Sequence, residues 1–368
     1  MTVVKTKVET ANTAPGIFEQ IGGYEHEQVV FFNDKASGLK SIVAIHNTIL
    51  GPALGGTRFW NYNNEAEAIN DVLRLSRGMT FKAAAAGLNL GGGKAVIIGN
   101  SRTDKSEAMM RRYGKFIESL DGKYITAEDV GTNTRDMEWI SLETEHVTGI
   151  PENMGGSGDP SPVTAYGTFL GVRASVKEFY GKDDLSGKKV AVQGTGHVGE
   201  VLVKHLVEAG ANVTVTDIHA DRIQYMIKTY NVAGCEPDAI YDVDMDIYAP
   251  CALGATLNTN NIDRLKCNIV AGAANNQLAD ETLHGNMLIE KGILYAPDFV
   301  INAGGLINVS GELEGYNRER VFSQTERIYD RLLEIFAIAK STNITTQEAA
   351  MHIADKRLKD IAALNSRM

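Results

Sequence analysis

The stretch VAVQGTGHVGEVL, residues 190–202, decides the fold, because a strand, a glycine turn and a helix follow one another within it. Its first residues are apolar and partly β-branched, which predicts a buried strand, and the apolar spacing from Val198 onwards predicts a helix. Between them lies the pattern Gly194-x-Gly196-x-x-Gly199. Glycine at these places permits a tight turn, close approach of the backbone to a pyrophosphate, and packing of helix against strand. The stretch therefore predicts a unit that binds a dinucleotide at the positive end of the helix dipole.

The next strand indicates which dinucleotide is expected. The run ANVTVTD ends in Asp217, 18 residues after Gly199. An acid at this distance binds the ribose 2′-hydroxyl and repels a 2′-phosphate, so NAD is the expected cofactor, although Arg222 leaves room for NADP. His197 is expected to face solvent rather than act in catalysis. The residues expected to bind the cofactor here are Gly194, Thr195, Gly196, His197, Val198, Gly199 and Asp217.

Strand-like and helical runs alternate around this unit, which predicts a parallel, doubly wound sheet. The further strand-like runs are DIYAP (246–250), CNIVAG (267–272) and GILYAP (292–297). A Gly-, Pro- and Ser-rich segment, PENMGGSGDPSP (151–162), precedes the alternation and predicts a domain boundary. We expect a substrate and oligomerisation domain over 1–150, a Rossmann domain over 151–335, and C-terminal helices over 336–368 that return to the first domain.

The C-terminal region is predicted to be helical. The segment 318–340 carries one apolar face, and Thr345 with Glu348 predicts a capping box at the start of a last helix. The apolar residues of that face are Ile328, Leu332, Ile335, Phe336 and Ala339.

The first third of the chain is predicted to be a smaller α/β unit. A helix is expected from Glu65 to Met79 with Asn64 as its N-cap, and another around 107–120. Strands are expected over 27–32, 40–47, 95–100 and 124–130.

Composition restricts the partners that we expect. The chain has 368 residues and a net charge of −10 without a basic run, so nucleic acid and anionic membranes are not expected partners. No apolar stretch reaches the roughly 18 residues of a membrane span, and the polar start lacks the apolar core of a secretory signal, which predicts a cytoplasmic protein. The three cysteines form no ligand cluster, so neither a disulfide framework nor a metal site is predicted.

The stretch GLNLGGGKAV, residues 87–96, places Lys94 directly after three glycines. The pattern resembles a phosphate-binding loop, but Leu88 and Ala95 stand where such a loop needs glycine and Ser or Thr, so we discard that interpretation. We expect instead that the glycines let the backbone approach a substrate. Lys82 lies in a similarly apolar context. Burial and a second ammonium both favour a neutral lysine, so the pair can supply one cation and one base, or can be two surface lysines.

A carboxylate follows the predicted strand at 124–130. Asp129 stands before a glycine and is the expected partner of the lysine pair, because a carboxylate there can move protons to and from an amine or carbonyl. The alternatives are that Asp129 caps a turn, and that Glu128 is the acting acid.

Five longer segments resemble the glutamate/leucine/phenylalanine/valine dehydrogenase family, and the similarity continues in register from about Ile17 to the C-terminal helices. The segments are GPALGGTR (51–58), GMTFKAAAAGLNLGGGKAV (78–96), ITAEDVGT (125–132), SPVTAYG (161–167) and AGAANNQL (271–278). The resemblance implies NAD-dependent oxidative deamination of an L-amino acid to a 2-oxo acid and ammonia, and a homo-oligomer such as an octamer.

The resemblance also implies individual roles. Lys94 corresponds to the catalytic lysine, Lys82 to the lysine that binds the substrate α-carboxylate, and Asp129 to the proton-transfer acid. Positions that would contact the substrate's polar end are Gly55 and Asn276. Thr164 would lie near the nicotinamide carboxamide.

The segments are most similar to those of leucine-acting members. Members that act on glutamate carry a lysine where this chain has Leu54, and a substrate side-chain carboxylate buried against leucine would be costly. Three further side-chain-pocket positions, Ala127, Leu306 and Val309, are also apolar. We therefore expect leucine, then valine and isoleucine, then phenylalanine as substrate. The alternatives are a phenylalanine- or valine-acting enzyme and a catalytically dead regulatory protein that binds NAD.

Overall fold

The computed structural model describes residues 16–252 and 254–365, so the expectation about the first fifteen residues lies outside them. The strands are β1 Gln28–Asp34, β2 Leu39–Asn47, β3 Ala53–Trp60, β4 Gly91–Ile98, β5 Tyr124–Glu128, β6 Lys189–Gln193, β7 Asn212–Thr216, β8 Ala233–Gly234, β9 Ile247–Pro250, β10 Ile269–Val270 and β11 Leu294–Tyr295. The helices are α1 Ile17–Tyr24, α2 Glu65–Ala85, α3 Glu107–Glu118, α4 Thr134–Ser141, α5 Ser161–Tyr180, α6 His197–Glu208, α7 Ala220–Tyr230, α8 Thr259–Arg264, α9 Glu281–Glu290, α10 Asp298–Ile301, α11 Gly304–Ser310, α12 Arg318–Thr342 and α13 Thr346–Asn365. Short 3-10 turns cover Glu152–Met154, Pro237–Asp242 and Gly311–Glu314. Among these helices, none combines the length and apolar character that crossing a bilayer requires.

The strands β6 to β11 form one parallel sheet. Their spatial order is β8-β7-β6-β9-β10-β11, and every neighbouring pair is parallel. Numbered within this half of the chain, the order is 3-2-1-4-5-6, which is that of a dinucleotide-binding Rossmann sheet. The order in which strands are added to the sheet reverses between β6 and β9, so ligands are expected outside the carboxyl ends of these two strands. The doubly wound sheet predicted from the sequence is confirmed.

The strands β1 to β5 form a separate mixed sheet in the order β1-β2-β4-β3-β5. The pairs of β3 with β4 and with β5 are parallel, whereas β1–β2 and β2–β4 are antiparallel. Strand β3 is absent from the sequence prediction, because the paired glycines at 55 and 56 weaken its strand signal. The two sheets confirm the expected α/β class with a smaller domain before a Rossmann domain.

The glycine run before Lys94 is part of β4, whereas the sequence predicts that this strand begins only at residue 95. Gly91, Gly92 and Gly93 are all buried, and a Cβ built on Gly92 would lie 2.1 Å from the backbone nitrogen of Thr80 in α2. The missing side chain therefore lets α2 pack directly on β4. The glycines bring a helix close to the strand, where we had expected a substrate.

Helix α2 is six residues longer than predicted. It ends at Ala85 instead of Met79, because the alanines after Phe81 continue the helix without adding a clear apolar periodicity. Its N-cap is confirmed, since the Asn64 side chain accepts a hydrogen bond from the backbone N–H of Glu67 at 2.9 Å. The extension places Lys82 in the last turn of the helix.

The C-terminal helices return to the first half of the chain, as expected. The five predicted apolar residues of α12 are buried, and α12 continues across position 335, so the range 336–368 begins inside a helix. Thr345 and Glu348 form the predicted capping box, with backbone N–H to side-chain oxygen distances of 2.8 Å and 3.1 Å. Helix α13 then packs against α12 and α2.

One side chain of α13 ties that helix to the end of α2. Arg357 donates from Nη1 to the carbonyl oxygens of Ala84 at 3.2 Å and Leu88 at 2.6 Å, and from Nη2 to Oδ1 of Asn89 at 2.8 Å. The last carbonyls of a helix have no partner within the helix, and a cation there also interacts favourably with the helix dipole. Arg357 therefore fixes the turn of α2 that carries Lys82.

We predict that Arg357→Ala lowers the free energy of unfolding by roughly 2 kcal/mol, because charge-assisted bonds to several acceptors are lost. The measurement is urea unfolding followed by circular dichroism. Lys356→Ala is the matched control, since the ion pair of this exposed neighbour among the described residues is with Asp360 across one helical turn, and such pairs contribute at most about 0.5 kcal/mol. Equal losses in both variants would contradict the assignment.

Candidate active site

A cleft of about 250 Å³ lies between the two sheets, at the last turns of α2 and the ends of β3 and β5. It is lined from both halves of the chain, because Asn276 and Leu306 come from the Rossmann half. The structure brings together in it all but one of the residues predicted to act on or bind the substrate. Those lining the cleft are Leu54, Lys82, Lys94, Ala127, Asp129, Asn276, Leu306 and Val309.

The exception is Gly55, which does not line the cleft. Successive strand residues point to opposite faces, and the cleft takes Leu54, Gly56 and Arg58 from one face of β3. Gly55 is buried beneath that face, and its carbonyl oxygen accepts a hydrogen bond from the Tyr124 hydroxyl at 2.5 Å. The residue of the pair that lines the cleft is therefore Gly56.

The polar part of the cleft wall contains an ion pair between a buried lysine and a partly buried carboxylate. Nζ of Lys94 lies 2.7 Å from Oδ2 of Asp129, and Nε of Arg58 lies 3.2 Å from the same oxygen. Burial alone would raise the pKa of Asp129, but the charges of Lys94 and Arg58 lower that pKa to about 2. Asp129 is therefore a carboxylate at neutral pH, with the lysine in direct contact.

The two candidate acids, Asp129 and Glu128, differ in their contacts. The carboxylate of Asp129 accepts a hydrogen bond from the Val130 N–H in the following turn as well as contacting the cations, and the backbone N–H of Asp129 donates to the Thr132 hydroxyl at 2.9 Å. Glu128 also lines the cleft, and its recorded side-chain hydrogen bond comes from Thr134 at 3.4 Å. Burial raises the pKa of Glu128. The carboxylate that contacts Lys94 is therefore that of Asp129.

Lys82 extends from α2 into the same cleft. Its Nζ donates to Oδ1 of Asn275 at 3.3 Å, and Nδ2 of Asn302 donates to that oxygen at 2.7 Å. Burial lowers the pKa of Lys82 to about 8, against a smaller opposing effect from the carboxylate of Asp298. Lys82 is thus mostly protonated at neutral pH and loses its proton as the pH rises through about 8.

One end of the cleft is apolar. Leu54, Leu306 and Val309 belong to one buried cluster with Ala83, Leu90 and Ile125, and Met79 packs against it. Leu54 is only 1% exposed. The charged groups and the apolar cluster therefore offer a ligand a polar end and an aliphatic end.

The glycine turn after β6 has the form that the sequence predicts. Gly194 has φ of 99°, and a Cβ on Gly199 would lie 2.0 Å from the Gly194 carbonyl oxygen, so both positions need glycine. A Cβ on Gly196 would meet no atom within 4 Å. Helix and strand thus pack through Gly199, while Gly196 leaves open space at the start of α6, where a phosphate group can approach.

The remaining predicted cofactor residues lie around this turn. Oδ2 of Asp217 accepts hydrogen bonds from the backbone N–H and the hydroxyl of Thr195, at 2.8 Å and 3.0 Å. Although burial opposes it, these bonds and that from the His219 N–H lower the pKa of Asp217. His197 is the first residue of α6 with its side chain 85% exposed, and Val198 is half-buried.

Thr164 lies apart from the glycine turn, in the first turn of α5. Its hydroxyl donates to the carbonyl oxygen of Pro160 at 2.9 Å, and a Cβ on Gly305 would lie 2.7 Å from the hydroxyl oxygen. Pro160 and Gly305 both line the cleft, so Thr164 is placed beside the site of the lysines.

Sequence reasoning missed four polar residues of the cleft: Arg58, Asn275, Asp298 and Arg74. Arg58 belongs to the segment 51–58 and Asn275 to the segment 271–278. In each segment it is one polar residue among several, without a distinguishing pattern. Asp298 and Arg74 carry no local signal, since only the packing of α10 and α2 against the cleft gives them their place.

A Rossmann sheet with an open glycine turn, beside a cleft that pairs lysine with carboxylate, is an arrangement typical of nicotinamide-dependent oxidoreductases. Two family models match the chain: Glu/Leu/Phe/Val dehydrogenase, dimerisation domain, over residues 26–146, and Glutamate/Leucine/Phenylalanine/Valine dehydrogenase over 155–221 and 215–364. The chain belongs to this family of amino-acid dehydrogenases, as the resemblance implied.

Individual relatives act on different amino acids according to their names. The chain is 57% identical to leucine dehydrogenase of Thermoactinomyces intermedius, over 93% of each chain. It is 48% identical to phenylalanine dehydrogenase of Lysinibacillus sphaericus, over 95% of this chain and 92% of that one. The crystal structure of L-tryptophan dehydrogenase from Nostoc punctiforme superposes with a TM-score of 0.83 at 46% identity, covering 94% and 99% of the two chains.

The glycine turn yields a prediction about cofactor binding. Gly196→Ala should weaken binding of the reduced dinucleotide at least tenfold without changing the unfolding temperature, because the added methyl group occupies open space that the pyrophosphate needs. Gly199→Ala should lower the unfolding temperature itself, because its methyl group meets the Gly194 carbonyl. Fluorescence titration and thermal unfolding measure the two effects. Unchanged affinity in a folded Gly196→Ala variant would contradict the assignment.

Proposed function

We propose that the protein is an NAD-dependent leucine dehydrogenase that acts on branched-chain L-amino acids. It converts L-leucine, NAD⁺ and water reversibly to 4-methyl-2-oxopentanoate, ammonium, NADH and a proton. The observation that carries the proposal is a single cleft in which Lys94 contacts Asp129 at one end and buried Leu54, Leu306 and Val309 form the other. The identity to a leucine dehydrogenase over 93% of the chain supports it.

The residues of the cleft suit the steps of such a reaction. Lys82, a cation at neutral pH, binds the substrate α-carboxylate. Asp129, a carboxylate at neutral pH, first takes a proton from the substrate ammonium group. When bound at the glycine turn, NAD⁺ would supply the acceptor for the hydride that leaves the substrate Cα, and the substrate becomes an iminium. Lys94 takes a proton from the water that attacks this carbon, and Asp129 returns its proton to the nitrogen as ammonia leaves.

The apolar end of the cleft supports an aliphatic substrate. A glutamate side-chain carboxylate would lose its hydration against Leu54 without gaining a partner there, whereas an isobutyl group gains about 25 cal/mol for each Å² buried. Pockets separate aliphatic groups that differ by one methylene only about 10- to 200-fold, so valine and isoleucine are expected as slower substrates. Phenylalanine is the second candidate, because a phenylalanine dehydrogenase is 48% identical.

Asp217 supports NAD over NADP. Its carboxylate is ionised and directly follows β7, where a 2′-phosphate would meet a negative charge. Nη1 of Arg222 lies 4.0 Å from that carboxylate, so its charge is already partly compensated.

We also propose a homo-oligomer, an octamer as the sequence resemblance implies. The description of the matching N-terminal family model as a dimerisation domain supports assembly through the half that contains β1 to β5.

The test of the function is a substrate panel. NADH absorbance is followed while leucine, valine, isoleucine, phenylalanine, tryptophan and glutamate are each offered with NAD⁺ or NADP⁺. We expect the highest kcat/KM with leucine and NAD⁺, because its side chain fills the apolar end of the cleft and Asp217 rejects a 2′-phosphate.

Lys94→Ala is the matched control for this panel, because it should remove turnover while NADH still binds. Absence of turnover with every amino acid would favour a dead NAD-binding protein. A preference for phenylalanine or tryptophan would move the substrate assignment and leave the chemistry in place.

The pKa of Lys82 gives a prediction about pH. 4-Methylpentanoate keeps the carboxylate and side chain of leucine but has no amine, so it should inhibit competitively and not titrate above pH 6. Its inhibition constant should be level below pH 8 and rise about tenfold per pH unit above it, as Lys82 loses its proton. In Lys82→Arg the constant should stay level over this range, because a guanidinium remains charged. A level constant in the unsubstituted protein would contradict the role of Lys82.

A further inference from the structure

One carboxylate oxygen is shared by two cations in the cleft. Oδ2 of Asp129 lies 2.7 Å from Nζ of Lys94 and 3.2 Å from Nε of Arg58. The two cations differ chemically, because a lysine can give up its proton whereas a guanidinium remains charged in proteins. The proposed reaction requires Lys94 to give up its proton. Of the two cations on Oδ2 of Asp129, Arg58 then remains.

Arg58 is itself held in place from its far side. Its Nη1 lies 2.9 Å from Oδ2 of Asp71, which also accepts the hydroxyl hydrogen bond of Tyr62 at 2.7 Å. The other oxygen of Asp71 is 2.7 Å from Nη2 of Arg74. Asp71 is buried in α2, so the guanidinium is fixed between two carboxylates, one on a helix and one after β5.

We propose that Arg58 is a positioning residue that orients the carboxylate of Asp129 and divides its charge between two cations, so that Lys94 does not carry the pairing alone. The inference deepens the proposed function and rests on it for the role of Lys94, but the charge balance that it describes is a property of the folded protein alone.

The other charged residues around the cleft do not share the contact that Arg58 makes with Asp129. From α2, Lys82 and Arg74 face the cleft with positive charge; from the end of β5 and from α10, Glu128 and Asp298 face it with negative charge. Neither Lys82 nor Arg74 has a recorded bond to Asp129, and among the residues that the structure describes the ion pairs of Asp129 are those with Lys94 and Arg58.

Removing the charge of Arg58 should therefore make Lys94 hold its proton more tightly. In Arg58→Gln, Lys94 is the cation that remains in contact with Asp129. The repulsion between the charges of Arg58 and Lys94 is also lost. Both changes favour the ammonium form, and a close charge shifts a proton equilibrium by about one pH unit or more. The glutamine can still donate a hydrogen bond, so orientation and charge are separated. Arg58→Lys keeps the charge.

The experiment measures the proton on Lys94 directly. The protein is acetylated with trace acetic anhydride at a series of pH values, and the peptide that contains Lys94 is quantified by mass spectrometry, since only the neutral amine reacts. We expect the pH of half-maximal labelling to rise by about one unit in Arg58→Gln and to stay within about 0.3 unit in Arg58→Lys. Arg58→Met is a second neutral variant in case the glutamine variant does not fold.

Arg74→Met is the matched control, because Arg74 also pairs with Asp71 and lines the cleft but has no recorded bond to Asp129. Its labelling midpoint should not move. A midpoint that is the same in all variants, or that moves equally for Arg74→Met, would overturn the proposal and identify Arg58 as a structural residue only.

Kinetics then separate this inference from the proposed function. In a leucine-oxidising enzyme, the acid limb of the kcat profile should move to higher pH in Arg58→Gln together with the labelling midpoint. Absence of turnover in the unsubstituted protein would refute the function, whereas the labelling result would still decide the role of Arg58.

Discussion

The short contact between Lys94 and Asp129 is the interaction on which the rest of the site depends. An unpaired charge in a buried position is costly, so a lysine in the middle of β4 needs a carboxylate that the fold delivers to it. That carboxylate follows β5, two strands away in the sheet order, with β3 between them. The glycines of β3 matter here, since no side chain stands between lysine and carboxylate at Gly56.

The same requirement for close approach recurs on the helix side of β4. Gly92 lets α2 pack against the strand, and this helix brings Lys82 to the cleft and Asp71 to Arg58. Arg357 then fixes the end of α2 from the C-terminal helix. The last helix of the chain thus stabilises a turn formed more than 260 residues earlier, which explains why the chain returns to its first half.

The two halves of the chain supply different residues to the site, and the topology of the two sheets explains which half supplies which. A parallel Rossmann sheet has its glycine turn at the carboxyl end of β6, and the same half supplies Asn275, Asp298 and Leu306 to the cleft. The first sheet supplies the lysine, the carboxylate and the arginine. A substrate in the cleft therefore contacts both halves, and a cofactor at the glycine turn can lie beside it without either half containing both sites.

Local sequence determined the elements whose signal is complete within a few residues. The strand, glycine turn and helix at 190–202, the cap at Asn64 and the capping box at Thr345 each depend on neighbours along the chain, and each is confirmed. Sequence context singled out Lys94, Lys82 and Asp129, and the family resemblance supplied roles for them that stay predictions. Tertiary structure alone decided that the glycine run is a strand, that β3 exists, and that Gly56 rather than Gly55 lines the cleft. It alone also brought Arg58, Asp71 and Arg357 to their partners, because burial and charge pairing join residues whose separation in sequence carries no periodic signal.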